Sequence, residues 1–480
     1  MLKSPRRQLH SSIAKVLAER FPVLAESQPE VVAHHFTEAG LANEAIGYWL
    51  KAGQRATERS ADQEAVRHLE RGLALLRTLP ESEDRDRHEL DFQITLGTPL
   101  LAVRGYTSSE VGAACERATV LSEKLDDVGR LFASLYAQFS YCNATGKTYK
   151  ALEFAERCRT LGIRQDDRVM QLMAHRGIGI VLYQLGKFAL ARKELEQSLA
   201  LYDPERDRSL AVRYITDPFA SASALLALVA WISGFPDRAA RMQAQALSYA
   251  AALNHVNTSG FVHFLAGAAL EQLFGNMAAV LTHTQTLSAL AREHGVLAWR
   301  SSGIIFEGWA VSWTSGPESG ISLMQKGIAD VDAKNLTFFV PLFTSLSAQV
   351  HGRIGDFQSA LALCIDAQER AQRSEQYIWE AELHRNEGEV RRAAGHSFTD
   401  VEQCFGRALD VSRAQGARMF ELRAATSLAR LWRDQGRHVE ARDLLAPVYG
   451  WFTEGFDMSD LKNAKVLLNE LAPAHDRRPR

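Results

Sequence analysis

Cysteine is scarce in this chain. Five occur in 480 residues, Cys115, Cys142, Cys158, Cys364 and Cys404, and no two are spaced as Cys-x-x-Cys. A set that sparse and odd in number excludes a disulfide framework and a zinc knuckle, and points to a reducing compartment. Charge of one sign is lacking as well: 55 Lys and Arg stand against 57 Asp and Glu, a formal net charge of −2. No global positive excess exists to attract nucleic acid or an anionic lipid surface. Long hydrophobic runs are missing too. The basic start through Arg7 continues into Gln8, His10 and Ser11 instead of the apolar core of a signal peptide, so a cytoplasmic location is expected. One long uncharged stretch lies between Asp217 and Asp237. Pro218, Ser221, Ser223, Ser233, Gly234 and Pro236 interrupt it, and it reads as a buried helix, with no membrane span.

Strand signals are nearly absent: there are no long alternating Val/Ile/Thr runs and no Asn-Gly or Asp-Gly hairpin turns. What is present is helical periodicity, as in Phe357, Ala360, Leu361 and Cys364, or Leu422, Ala425, Ala429 and Trp432. An all-α chain follows. Its length would suit about three compact domains or one elongated array. One kind of turn decides for the array. It recurs at Gly146, Gly186, Gly234, Gly275, Gly316, Gly355, Gly395 and Gly436, at intervals of 40, 48, 41, 41, 39, 40 and 41 residues. Two helices with short turns fill such a period, and about twelve pairs fill the chain.

Other positions keep step with the glycine. Seven residues before it stand Phe139, Gly179, Ala227, Ala268, Trp309, Ala348, Gly388 and Ala429; five after it stand Ala151, Ala191, Ala239, Val280, Ile321, Ala360, Asp400 and Ala441. Small residues at facing positions let paired helices approach closely, the packing of an antiparallel helical hairpin. In the N-terminal third, Ala33, Gly40 and Ala45 preserve the offsets, and Gly53, Ser60 and Ala65 repeat them. Capping boxes are read at Ser60 with Gln63, Thr107 with Glu110 and Thr399 with Glu402. The longer interval near Asp203 to Pro218 predicts an insertion.

Candidate chemistry reduces to packing. Gly146-Lys147-Thr148 resembles the end of a phosphate-binding loop, but Tyr141 occupies the place of its first glycine and no strand precedes it. Gly177 and Gly179 begin a dinucleotide fingerprint whose third glycine is Leu182. Ser319 between Gly316 and Gly320 is one place late for a nucleophile elbow. His34 with His35, and His255 with His263, lack the helical spacing and acidic partner of a zinc site. Trp299, Trp309, Trp313, Trp379, Trp432 and Trp451 read as core instead of stacking platforms. Basic residues gather at Lys3, Arg6, Arg7 and at Arg477, Arg478, Arg480, as solvated termini do. The expectation is a chain with no catalytic, cofactor-binding or metal-ligating residues, and binding residues that the sequence does not point out.

The small residue, turn glycine and alanine in this order resemble the tetratricopeptide repeat, here with a period longer than its consensus 34. The expected fold is a tetratricopeptide-like α-α superhelix, a solenoid of antiparallel hairpins. Three segments, Trp379 to Gly388, Glu421 to Trp432 and Leu445 to Asp457, resemble the C-terminal repeat region of bacterial signalling proteins. In those proteins a class III adenylate/guanylate cyclase or winged-helix domain precedes an AAA/STAND ATPase and then the repeats. Val32 to Leu41, with Tyr48 to Gly53, resembles the junction of ATPase and repeats. The resemblance implies junction helices over 1–80, repeats over 81–456, and a capping helix with a basic tail over 457–480. It also implies the repeat arm without its upstream enzyme, either a truncated product or a stand-alone remnant. Cyclase and ATPase activities are not carried over, because no residue here matches their motifs. The expected partner is a protein or peptide on the concave surface, such as a cyclase or ATPase domain; a small-molecule effector site between repeats is the alternative.

A helical array must hide its ends. Deleting Asp457 to Arg480 is therefore expected to lower solubility or melting temperature, and an unchanged melt would refute the cap.

Overall fold

All eight glycines of the recurring turn have positive φ, from 70° at Gly186 to 142° at Gly316, in the computed structural model of the chain. An L side chain adopts the left-handed region only at a cost of about 1–2 kcal/mol, so glycine lets one helix stop and the next fold back. The structure describes residues 3–59, 61–105, 107–294 and 297–472. Among these, the regular elements are helices, with no strand. The fold is an all-α superhelix of antiparallel helical hairpins, as the periodicity predicts. The box read at Ser60 and the basic residues Arg477, Arg478 and Arg480 lie outside the described residues.

The chain divides into two units, Met1–Ala144 and Thr145–Arg480. In the first, the helices Pro29–Ala39, Ala42–Glu58, Asp62–Leu76 and Glu83–Arg104 pack in sequence. Ala33 and Ala45 are both fully buried, at the positions the repeat offsets pick out. Gly53 and Gly72 mark the closest approaches: a Cβ there would sit 2.3 Å from Leu69 Cδ2 and 2.2 Å from Phe92 Cε1. Val32, Phe36, Ile46, Trp49, Leu69, Leu73 and Phe92 form the core between them.

In the second unit the hairpins include Arg168–Gln184 with Phe188–Leu201, Pro218–Ile232 with Pro236–Leu253, Val340–Arg353 with Phe357–Arg373, and Glu380–Ala393 with Phe398–Gln415. The alanines at both repeat offsets, Ala191, Ala227, Ala239, Ala268, Ala348, Ala360, Ala429 and Ala441, are all fully buried. Two repeats depart from the pattern. Between Leu297–Thr314 and Pro317–Ala333 the helices cross at Gly308 and Gly320, each one place off the offset, where a Cβ would meet the other's carbonyl oxygen at 2.7 and 2.4 Å. This shift leaves room for Trp309 and Ile321. Asp400 is exposed, and Val401 takes the buried place. The expected insertion holds the short helix Leu210–Arg213, and the uncharged stretch forms Pro218–Ile232, buried at every residue except Phe219.

Two capping boxes are corrected. The helix Ser109–Lys124 is capped by Ser108, whose hydroxyl accepts from the Glu110 amide; the helix Phe398–Gln415 is capped by Ser397, which accepts from the Asp400 amide. In both cases a serine with extended backbone stands next to the first helical residue, where a hydroxyl reaches the free amides.

The turns of the second unit also dock on one another. Thr148 Oγ1 donates to the Ser374 carbonyl at 2.7 Å, and the Tyr149 amide donates to Glu375 Oε2 at 2.9 Å, across 226 residues. The Tyr377 and Ile378 amides donate to the Gln184 carbonyl at 2.8 and 3.1 Å. The Arg238 amide donates to Glu454 Oε1 at 3.0 Å, and the Gly455 amide to Asp237 Oδ2 at 3.2 Å. The superhelix of this unit therefore returns on itself. Its inner helices meet through a chain of buried rings: Phe306 against Phe343 at 5.4 Å, Phe339 against Trp379 at 5.3 Å, Trp379 against Phe420 at 6.0 Å, and Phe420 against Trp231 at 5.8 Å. The open concave surface expected from the repeat pattern is here filled largely by the unit's own aromatic side chains. Phe339 holds φ +65° to join them, a strained conformation whose cost its full burial offsets.

Replacing Gly388 tests the close approach of paired helices. A Cβ there would lie 2.6 Å from Phe405 Cε1. Gly388→Val is expected to cost about 1–3 kcal/mol through overpacking, read as a lower urea midpoint. An unchanged midpoint would show that the two helices part freely.

Candidate functional site

The motif look-alikes turn out to be packing devices. Gly146 closes against Ser374 and Thr337, with Thr148 buried in the docking bond described above, so this turn presents no phosphate cradle. Gly179 lies mid-helix with Leu195 2.7 Å from where its Cβ would be. Gly320 is the helix crossing point beside Ser312, not the end of a nucleophile elbow. Of the tryptophans, Trp309 and Trp379 are core, whereas Trp313 and Trp451 stay partly exposed beneath arginines, with Arg353 3.7 Å and Arg418 5.1 Å from the ring centres.

The histidines pair differently from their order in sequence. His255 caps the helix Val256–Val262 through Thr258, while His263 meets His283, Nδ1 to Nδ1 at 2.9 Å. A π-helical turn, His263–Ala269, carries His263 to that position. Burial, and then His283, push the His263 imidazole down to about 4. In the first unit His10 joins His35, Nδ1 to Nδ1 at 2.8 Å, with His34 beside both. Among the described residues no group of three His, Cys, Asp or Glu side chains is placed to hold a metal ion.

The chemistry-bearing feature lies inside the second unit. Glu382 is buried on the helix Glu380–Ala393 and takes a two-pronged contact from Arg385, Nε to Oε1 at 2.8 Å and Nη2 to Oε2 at 3.0 Å. Arg423, from the helix Arg418–Asp434, reaches Glu382 Oε2 at 3.2 Å, Asp460 Oδ2 at 2.9 Å and the Leu273 carbonyl at 2.8 Å, with Trp231 under its guanidinium at 4.7 Å. Burial opposes charge on all three groups, but the mutual attraction wins: the carboxyl of Glu382 is held below its ordinary range by Arg385 and Arg423, and both arginines are held above theirs. Breaking such a buried pair leaves an uncompensated charge, which is why its members stay together.

Arg385 and Arg423 keep 17% and 16% of their side-chain surface accessible. Both line a cavity of about 230 Å³, which is not sealed. Its lining comes from inner helices and is mixed, with Trp309, Leu342, Leu346 and Trp379 among the apolar residues and Asn386, Ser427, Arg430, Asp460 and Asn463 among the polar ones. Gln272 Oε1, Trp309 Nε1 and Trp379 Nε1, all on lining residues, are buried without a hydrogen-bond partner.

No family model matches the chain. It is 22% identical over 436 residues to an uncharacterized protein of Rhizobium meliloti (strain 1021), covering 90% of this chain and 42% of that protein. The chain thus spans less than half the length of this relative. Among solved structures, a Rap protein complexed with Competence and Sporulation Factor superimposes with a TM-score of 0.51 at 13% identity, covering 82% of this chain and all of that one. The fold is of the tetratricopeptide type. The tetratricopeptide sensor of a signal transduction ATPase with numerous domains, from Pyrococcus horikoshii, gives a TM-score of 0.42 at 14% identity over 82% of this chain and 57% of that one. Among the described residues of this tetratricopeptide-type chain, no helix is long and apolar enough to cross a membrane.

Sequence reasoning named no site residue, yet a signal was present. Glu382, Arg385 and Glu389 stand three, four and seven apart, and Arg423 and Arg430 seven apart, which puts charge on single faces of helices whose other residues are core. The His263–His283 pair has a measurable consequence. An imidazole held near 4 in the fold and near 6.5 when unfolded lets the unfolded state bind more protons in between, so its contribution is whole above pH 6.5 and is lost as pH falls toward 4. Melting temperature is expected to decline over that window, and His263→Gln to flatten the decline; an equal decline in the variant would remove His263 as its source.

Proposed function

We propose that this chain is a non-enzymatic protein-interaction and regulatory sensing module of a cytoplasmic bacterial signalling system that contains an ATPase or a nucleotide cyclase. The observation that carries the reading is the charged cavity lined by the inner repeat helices, a feature suited to holding an effector, not to catalysis. Glu382, Arg385 and Asn386 of its lining lie in Trp379 to Gly388, and Arg423, Ser427 and Arg430 in Glu421 to Trp432, two of the segments that resemble the repeat arms of such signalling proteins. A solved protein of the same fold, a Rap protein, is complexed with Competence and Sporulation Factor, which supports a sensing role for the architecture. In this proposal residues 1–80 join the repeats to the ATPase, 81–456 form the repeat array, and 457–480 cap it. The partner is a protein, with a cyclase or ATPase domain as the first candidate, and nucleic acid is not among the ligands.

A second reading is favoured by the size of the cavity: a sensor arm for a small-molecule effector, within a signalling or transcriptional regulator. The cavity is below the roughly 300–1,000 Å³ of drug-sized sites and would admit only a small ligand.

The test of the leading reading is co-purification. The tagged chain is expected to retain an ATPase- or cyclase-bearing protein from its own cells and to change that protein's turnover severalfold when added back. The purified chain alone is expected to hydrolyse no ATP and form no cyclic nucleotide. Turnover by the chain itself, or neither capture nor modulation, would overturn the reading.

A further inference from the structure

Within the cavity one charge stands apart. Five of its lining side chains are ionised, Glu382 and Asp460 against Arg385, Arg423 and Arg430. Arg385 and Arg423 satisfy the two carboxylates in the network described above. Arg430, on the helix Arg418–Asp434, makes no hydrogen bond or ion pair among the described residues. Its surroundings are adverse. Burial, together with the neighbouring charges of Arg392, Arg433 and Arg385, disfavours its cation, and Glu389 offsets this only in part. A guanidinium does not deprotonate in a protein, so it stays charged, and its five N–H donors are open to a partner from outside the chain. An uncompensated, partly buried cation is expensive to keep unless something pairs with it.

The remaining walls say what that something is. A guanidinium fork matches the planar, two-oxygen geometry of a carboxylate. The lining carries one positive charge in excess, which a single carboxylate neutralises and a phosphate dianion would overshoot beside Glu382 and Asp460. The apolar lining that keeps some accessible surface is Trp309 and Leu342, a foothold for the rest of a small molecule. The volume of about 230 Å³ suits a small ligand.

We propose that this cavity is a binding site for a small monocarboxylate, with its carboxylate forked onto Arg430 and its apolar body against Trp309 and Leu342. The proposal rests on the sensing reading and names the class of effector that would be sensed.

Isothermal titration calorimetry of the full chain with acetate, pyruvate, benzoate and inorganic phosphate tests it. Benzoate is expected to bind saturably and more tightly than acetate, because it adds an apolar body, and phosphate to bind more weakly than either. Arg430→Gln is expected to weaken benzoate by about tenfold or more, the loss of a charge-assisted pair. The same variant should melt no lower than the parent, since it removes a partly buried charge that has no protein partner. A second measurement needs no variant: benzoate should slow phenylglyoxal modification of Arg430 severalfold, located by peptide mass, and leave the exposed Arg241 unchanged. Absence of saturable carboxylate binding, equal binding by Arg430→Gln, tighter binding of phosphate, or no protection of Arg430 would each overturn the proposal. A chain that captures its ATPase or cyclase partner but binds none of these acids refutes the site and spares the regulatory reading. One that binds benzoate through Arg430 but captures no partner does the reverse.

Discussion

The second unit depends on the docking of turns that lie far apart in sequence. Hairpins of the repeat type contact only their neighbours by default, and such an array can stay open along its length. Here the Gln184 carbonyl accepts two amides from Tyr377 and Ile378, and Thr148 inserts under Ser374, so later repeats are stacked on earlier ones. The inner helices are thereby brought face to face. Without that return, Trp231 and Phe420 would border a groove; with it, they form part of one core.

Closing the interior also explains why charge survives there. Inner helices of an open array could keep Glu382, Arg385 and Arg423 hydrated. In the closed unit each must find a partner, and Asp460, supplied by the helix Ser459–Glu470, completes the set. The network ties three helices across what would otherwise be an apolar seam. Buried charge of this sort is poor at adding stability and better at specifying one arrangement over its neighbours.

The periodic part of the fold was legible in the sequence for a simple reason: glycine reaches positive φ at the least cost and recurs at one turn about every forty positions, and residues at facing positions have to be small. Gly146 through Gly436 and the alanines at both offsets obey that local rule. Where the rule bends, local information was not enough. At Gly308 and Gly320 the crossing point slides by one residue because Trp309 needs the adjacent space. The second turn of each repeat went unread, since Asp166, Asn335 and Glu375 reach positive φ without glycine, and nothing about them alone announces it. Turn docking and the His263–His283 pair depend on residues distant in sequence, beyond the reach of periodicity. The cavity was half visible. Its charged residues share helix faces at spacings of three, four and seven, but only the closed interior shows that those faces point inward.

The same long-range contacts set an order of events in folding. Each hairpin involves partners within one repeat and can form within microseconds to milliseconds, as local helical contacts do. Thr148 must wait for Ser374, 226 residues further along. At a ribosomal rate of about 5–20 residues per second, that delay is roughly ten to forty-five seconds. During it the early repeats present their aromatic inner faces to water, as an incomplete coil. A nascent chain of this design therefore has a window in which chaperones, or a second nascent chain, compete with its own later turns.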